Sequence, residues 1–191
     1  MRYGRRQGSN LTPLWGIMII CLLIYIALLI NNQFLMLLGL QTATFLDKPW
    51  TIVTNLFTHA SLWHLLANMF TLYFFGSYLL RLLGVGRFMT VYFGGGLLGN
   101  ILFMLLGSPY AIVIGASGAI FALGGLLTVL QPKLKVYMFP IPVPLPLWVA
   151  IIGGFVVLSL FPHVAWQGHL GGLVFGIIAG FVLRRKMRFI P

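Results

Sequence analysis

The chain has 191 residues, about the length of one domain, and 60% of them are apolar, against roughly 45–50% in soluble proteins. Charged residues make up only 7%, with twelve Lys and Arg against one acid, Asp47. This composition excludes a water-soluble globule, and the lack of carboxylates excludes glycosidases, two-metal nucleases, aspartic proteases and proton pumps. The one cysteine, Cys21, lies in an apolar run, so we expect no disulfide, metal or cofactor.

Long uncharged stretches predict the membrane-spanning helices. They cover 7–46, 49–80, 88–132 and 136–183. One span needs about 20 residues, and the last two stretches are each interrupted by Gly- and Pro-containing segments, so each holds two spans. We therefore predict an all-α, polytopic membrane protein with one domain over 1–191 and six helices at about 14–30, 63–80, 88–106, 116–130, 145–160 and 169–183.

The positive charges predict the orientation, because Lys and Arg are retained on the cytoplasmic side. An inside N-terminus leaves only Lys48 outside and places the other eleven of the twelve inside: Arg2, Arg5, Arg6, Arg81, Arg87, Lys133, Lys135, Arg184, Arg185, Lys186 and Arg188. We expect both termini to be cytoplasmic, the first helix to be retained rather than cleaved as a signal peptide, and the cell membrane to be the location. Anionic lipid head groups are the expected counter-charge, and nucleic acid is not an expected partner.

Polar residues gather at one end of three predicted helices. The second, fourth and sixth helices all run from outside to inside, so their N-termini share the outer face. His59, His64 and Asn68 lie at the second, Ser117 at the fourth and His169 at the sixth. Because polar side chains in a membrane usually face the bundle interior or a water-filled cavity, this predicts one outward-opening polar site.

Each of these residues also has a purely structural interpretation. His64 and Asn68 are spaced i, i+4 on one helix face and could join helices by hydrogen bonds. Ser117 lies in Gly115-Ala-Ser-Gly-Ala119, where small residues favour close helix packing. This segment differs from the hydrolase Gly-x-Ser-x-Gly elbow, which follows a strand.

Two stripes of residues predict that the fourth and sixth helices pack together. On the sixth helix the stripe is His169, Gly172, Gly176 and Gly180. On the fourth it is Ser117, Phe121, Gly124 and Thr128. If these faces pack in parallel, Ser117 meets His169, and a serine beside an imidazole base is the minimum nucleophilic pair.

Three motifs together resemble the rhomboid intramembrane serine proteases. They are His59-x4-His64-x3-Asn68, Gly115-Ala-Ser117-Gly, and Gly168-His169-x2-Gly172-x3-Gly176. Trp50, Gly84 and Gly86 also match family positions, and the resemblance covers the six-helix core. It implies a rhomboid-like bundle.

The resemblance implies that Ser117 is the nucleophile and His169 the general base and then acid. The Ser117 amide, His64 and Asn68 would hold the oxyanion. Phe121 would lie against His169, where the family usually has Tyr. Supporting residues would be Gly115, which admits the substrate backbone, His59, which packs or retains water, and Gly172 in the small-residue stripe.

The implied substrates are transmembrane proteins with one span, cleaved at small residues near the outer end of the span. The segment 162–168 could act as a lid over the site, and the Pro-rich run 139–146 is an expected cytoplasmic connection. Two positions depart from the family pattern: Thr51 and Leu80 stand where Arg and Glu are frequent. A non-enzymatic rhomboid-like protein that binds membrane helices is the alternative, and a channel or transporter is a weaker one.

Overall fold

The computed structural model of the chain describes residues 10–137, 142–162 and 164–187. The helices in these residues are α1 (Thr12–Ile30), α2 (Phe34–Leu38), α3 (Thr51–Thr54), α4 (Leu62–Leu83), α5 (Val85–Leu106), α6 (Ser117–Leu130), α7 (Leu147–Ser159) and α8 (Trp166–Met187). Short 3₁₀ helices cover Thr42–Thr44 and Asn55–Phe57. Two antiparallel pairs of two-residue strands join β1 (Leu40–Gln41) to β2 (Ile112–Val113) and β3 (Lys135–Val136) to β4 (Leu145–Pro146).

Helices lie at all six predicted places and the fold is helical as expected, but some of the bounds need correction. The sixth begins at Trp166, so His169 lies within the first turn of α8 rather than at its start. His59 precedes α4, as the predicted bounds of 63–80 imply. The fifth prediction began at 145, but residues 145–146 pair with β3 and α7 begins at Leu147, because the residue before a proline disfavours the helical conformation. The two strand pairs add to an otherwise helical fold.

Four of the described helices are long and apolar enough to cross a membrane: α1, α4, α5 and α8. The apolar helices α6 and α7 have 14 and 13 residues, which at 1.5 Å per residue gives about 20 Å, against roughly 30 Å of bilayer hydrocarbon. These two helices are therefore shorter than the full thickness of the hydrocarbon layer. In this fold, Ser117 is the first residue of α6.

Helix α6 is the centre of the fold. It contacts α4, α5, α7 and α8, and Ala119, Ala122, Leu123 and Leu126 are fully buried. In contrast, α1 buries only Leu14, Ile17 and Cys21 along its length. The apolar side chains are thus buried around α6 and exposed on the outer helices, as expected where lipid is the solvent.

Helices α6 and α8 pack in parallel at close range because glycines remove side chains from their interface. A Cβ at Gly172 would overlap the carbonyl oxygen of Gly118, and one at Gly176 would overlap that of Ala122. The predicted face of α8 is therefore confirmed. The predicted face of α6 is wrong in the C-terminal half of the helix, where Gly124 contacts Ile151 of α7 and Phe75 of α4 instead of α8.

A second glycine-rich helix, α5, completes this core. A Cβ at Gly95 would overlap Ala122 of α6, and one at Gly99 would overlap the backbone of Gly168 on α8. Gly171 lies in turn against the Cα of Gly99. The backbones of three helices consequently approach one another where Ser117 and His169 lie.

The segment between α1 and α4 is anchored by three side chains that donate to consecutive carbonyls at the end of α2. Lys48 Nζ bonds Met36 O at 3.0 Å, Trp50 Nε1 bonds Leu37 O at 2.9 Å, and Thr54 Oγ1 bonds Leu38 O at 2.8 Å. These groups satisfy carbonyls that a helix end otherwise leaves unpaired. The anchor uses the side chain of Trp50, whereas Thr51 is buried with its hydroxyl on Lys48 O at 2.6 Å.

Several predictions fall on residues outside those described. They include Arg2, Arg5, Arg6 and Arg188, part of the Pro-rich run 139–146, and His163 within the predicted lid.

Candidate active site

A cavity of about 510 Å³ lies at the N-terminal ends of α4, α6 and α8. His64, Asn68, Ser117 and His169 all line it. The structure therefore brings together polar residues from three distant parts of the sequence. Residues 112–115, together with Val164, Ala165 and Gly168, form further parts of its wall.

Ser117 and His169 are in direct hydrogen-bond contact. Ser117 Oγ lies 2.8 Å from His169 Nε2, and the His169 side chain is buried. The contact follows from the parallel packing of α6 and α8, which aligns the first turns of the two helices. Because Ser117 begins α6, its amide is among the four that a helix leaves without internal partners.

The Phe121 ring packs against the His169 ring. The two ring centroids are 4.7 Å apart, at an interplanar angle of 35°. Nδ1 of His169 is buried and has no hydrogen-bond partner within the described part of the chain. Packing against Phe121, rather than a hydrogen bond to a carboxylate, orients this imidazole.

His64 and Asn68 project from the first two turns of α4. Ser61 caps the helix by accepting the His64 N–H at 3.2 Å. Asn68 Nδ2 donates to the His64 carbonyl at 2.8 Å. A primary amide has two N–H groups, so this bond orients the Asn68 side chain and leaves a second donor for the cavity.

Gly115 has two structural reasons to be glycine. Its φ is +110°, a backbone conformation that L side chains rarely adopt. A Cβ at this position would lie 2.7 Å from Cε1 and Nε2 of His64. The resemblance implies that Gly115 admits the substrate backbone, and the structure adds that it makes room for the His64 ring.

His59 is fully buried beneath the cavity and is a hydrogen-bonding residue of the loop that precedes α4. Its Nδ1 lies 3.3 Å from Phe57 O and must carry the proton, so Nε2 accepts the Ala116 N–H at 3.5 Å. Burial, with the neighbouring His64 adding to it, lowers the pKa of His59 to about 4. A neutral imidazole therefore accepts the amide of the residue directly before Ser117.

Sequence reasoning missed two buried residues beside the site, Asn55 and Asn100. Their side-chain amides bond each other reciprocally at 2.8 and 2.9 Å. Asn100 was detectable, because it is a polar residue in the middle of the apolar stretch 88–132, and such residues usually face the bundle interior. Asn55 carried no such signal, because it lies in a mixed segment between predicted helices.

The described residues contain no group of three or more His, Cys, Asp or Glu side chains placed to hold a metal ion. The cavity instead contains the Ser117 hydroxyl hydrogen-bonded to the His169 imidazole, at the N-terminus of α6. The polar side chains of His64 and Asn68 line the same cavity. Such an arrangement can activate an oxygen nucleophile and stabilise a developing negative charge.

Comparison with known proteins identifies the family. The rhomboid domain model matches residues 46–186, about three quarters of the chain. The chain belongs to the rhomboid family. The match includes α4, α5, α6, α7 and nearly all of α8, and therefore every residue that lines the cavity.

Rhomboid relatives in several kingdoms are similar to this protein. Rhomboid protein 1, mitochondrial, of Saccharomyces cerevisiae is 29% identical over 165 residues, which cover 81% of this chain and 48% of the yeast protein. Rhomboid-like protease 3 of Toxoplasma gondii is 31% identical over 167 residues, covering 84% and 62%. Rhomboid protease GluP of Bacillus subtilis is 33% identical over 135 residues, covering 70% and 26%.

This rhomboid therefore spans about half or less of the yeast and Bacillus relatives' lengths. Family membership and the apolar helices together make it a multi-pass membrane protein. The family includes proteins named as proteases, among them the Bacillus relative.

Proposed function

We propose that this rhomboid is an intramembrane serine endopeptidase in which Ser117 is the nucleophile and His169 the general base and then acid. The observation that carries the proposal is the 2.8 Å contact between Ser117 Oγ and His169 Nε2 on the wall of the cavity. A serine hydroxyl is a poor nucleophile unless an adjacent base takes its proton.

In the proposed reaction, Ser117 Oγ attacks the carbonyl carbon of the substrate while His169 Nε2 takes the hydroxyl proton. The tetrahedral intermediate collapses as His169 returns that proton to the leaving amine. Water then attacks the acyl-enzyme with His169 again acting as base, which releases the new carboxylate and restores Ser117. Packing against Phe121 keeps the imidazole in place through these steps.

We assign the oxyanion to three donors around the cavity. The Ser117 amide lies at the positive end of α6, and the second N–H of Asn68 and the His64 ring lie opposite on α4. Fixed donors of this kind stabilise charge that develops in the transition state without having to reorient.

The proposed substrates are transmembrane proteins with one span, cut near the outer end of that span. A helical peptide bond is shielded by its own helix, so the substrate must unwind locally, and Gly or other weak helix formers favour unwinding. The position of Ser117 supports this proposal, because it is the first residue of α6 and lines the cavity, where an unwound segment that enters can reach it.

We further propose that the termini are cytoplasmic and that the cavity opens to the extracytoplasmic side of the cell membrane, with all six long and short apolar helices acting as spans. The basic side chains of the described residues support this orientation. Arg81 ends α4, and Arg184 and Arg185 end α8, at the opposite end of these helices from the cavity. Lys133 and Lys135 follow α6 in the same way.

The test of the activity is incubation of purified protein in liposomes with a reporter that has a single span, comparing wild type, Ser117→Ala and His169→Ala. We expect cleavage by wild type alone. A serine-directed phosphonate should label Ser117 of the wild type, and His169→Ala should abolish that labelling. A wild type that binds the reporter without cleaving it would instead support a non-enzymatic rhomboid-like protein.

The orientation has its own test. Single cysteines at residues 108 and 163 and near each terminus, in a Cys21→Ser background, are treated on intact cells with a membrane-impermeant thiol reagent. We expect labelling at 108 and 163 and none at the termini. The reverse pattern would move the cavity to the cytoplasmic side.

A further inference from the structure

A second polar element, which the proposed chemistry does not use, lies where α5 forms part of the cavity wall, and Asn100 itself lines the cavity. This element consists of Asn55, between α3 and α4, and Asn100 in the middle of α5. Only 1% of Asn55 and 4% of Asn100 is exposed. Burying two amides without hydrogen-bond partners would cost free energy, but these two side chains find partners in each other.

The two side chains are complementary in both directions. Asn55 Nδ2 donates to Asn100 Oδ1 at 2.8 Å, and Asn100 Nδ2 donates to Asn55 Oδ1 at 2.9 Å. The second N–H of Asn100 donates to Ile52 O at 2.7 Å. These three bonds fix residues 52–55 in one register against α5, with an accuracy that apolar contacts alone do not supply.

The backbone of Asn55 continues this network to the nucleophile. Asn55 O accepts the Gly115 N–H at 2.8 Å. Gly115 is two residues before Ser117 and lies against the His64 ring. One hydrogen-bonded path therefore leads from Asn100 through Asn55 to the turn that sets the Ser117 amide and the position of His64.

We infer that the Asn55–Asn100 amide pair is a positioning element that fixes the turn 115–117 against α5 and thereby sets the geometry of the oxyanion donors. This inference rests on the proposed function. Neither asparagine is expected to touch the reacting atoms, so the pair governs the rate of turnover rather than the binding of substrate. A misplacement of about 1 Å at such donors can lower a rate by about 10²-fold.

The experiment compares Asn100→Leu with the double variant Asn55→Leu/Asn100→Leu. Leu and Asn have similar size. The single change leaves the Asn55 amide unpaired. The double change replaces both partners by apolar groups, so it can restore stability without restoring the hydrogen bonds that fix residues 52–55 in one register against α5. Thr54→Val is the matched control: it removes one hydrogen bond, to Leu38 O, from the same loop but has no link to Gly115.

The measurements are the midpoint of thermal unfolding, kcat and KM for the single-span reporter, and hydrogen exchange of the Gly115 amide. We expect Asn100→Leu to lower kcat at least tenfold with KM within about twofold, and to speed exchange at Gly115 at least tenfold. The double variant should regain the wild-type midpoint and keep the low kcat and the fast exchange. Thr54→Val should match wild type in kcat and in exchange.

Two results would overturn the inference. One is a double variant that regains kcat together with its unfolding midpoint, because the pair would then serve stability alone. The other is a single variant whose kcat and Gly115 exchange match those of Thr54→Val. A wild type that neither cleaves the reporter nor is labelled at Ser117 would contradict the proposed function instead. Fast exchange of the Gly115 amide in the variants would then show that the pair stabilises the turn 115–117 without a role in catalysis.

Discussion

The imidazole of His64 occupies the space that a side chain at residue 115 would need. A Cβ on Gly115 would lie 2.7 Å from two atoms of that ring, and the Gly115 φ of +110° already disfavours any residue with a Cβ. The turn before α6 and the first turn of α4 are thus fitted to each other at one glycine. Any substitution there changes the backbone and the position of His64 at once.

Gly115→Ala should therefore lower both stability and turnover. We expect a loss of about 1–3 kcal/mol in the free energy of unfolding from the strained φ, and a fall in kcat of about 10²-fold because His64 is displaced. Thermal unfolding and reporter cleavage measure the two effects. Gly153→Ala is the matched control, since a Cβ there meets nothing within 4 Å; equal behaviour of the two variants would show that the fit at residue 115 is unimportant.

Gly172→Ala should separate α6 from α8. The added methyl group would overlap the Gly118 carbonyl oxygen, which belongs to the residue after Ser117. Overpacking of this kind costs about 1–3 kcal/mol, and the movement that relieves it lengthens the contact between Ser117 and His169. We expect slower phosphonate labelling than in Gly154→Ala, where a Cβ has open space. Unchanged labelling of Gly172→Ala would mean that the helices move without disturbing the pair.

The variants His64→Ala and Asn68→Ala should each fold. In both, Ser117 should still react as a nucleophile, but at a lower rate. Loss of one oxyanion donor typically lowers a rate about 10²–10³-fold, whereas a hydrogen bond between membrane helices is worth about 0.6 kcal/mol on average. We expect sharply lower cleavage of the reporter and reduced, measurable phosphonate labelling in each variant. Cleavage close to wild type in both would restrict the site to Ser117 and His169.

Stability should fall below neutral pH because His59 is held neutral. Its pKa is lowered to about 4 in the fold, against about 6.5 in an unfolded chain. Above pH 6.5 neither state binds the proton; between 6.5 and 4 only the unfolded state does, so stability decreases as the pH falls and the loss is complete below about 4.

The contribution of His59 follows from comparison with His59→Gln, which keeps an acceptor for the Ala116 N–H and cannot titrate. We expect the unfolding midpoint of the wild type to fall more steeply between pH 6.5 and 4 than that of the variant. The full difference should correspond to about 3 kcal/mol. Parallel curves would mean that His59 is protonated in the folded protein without cost.

The helical part of this fold was predictable because the bilayer restricts what a sequence can form. Uncharged stretches and their interruptions predicted helices at six places, since backbone groups in lipid must be satisfied within a helix. The stripe of Gly172, Gly176 and Gly180 predicted the α8 face that packs on α6, because small residues permit close backbone contact. The face of α6 was less predictable: it offers small residues on several sides, and Gly124 packs on α7 instead.

The sequence by itself determined the membrane class, the helices and the polar residues that meet at one end, because charge, hydropathy and spacing are properties of the chain. Tertiary structure alone decided the contacts that make a site of them. The fit of Gly115 to His64, the anchoring of residues 48–54 on the end of α2, and the amide pair of Asn55 and Asn100 all join residues far apart in sequence or in irregular backbone. Such contacts depend on where loops lie relative to helices, and no local periodicity encodes that position.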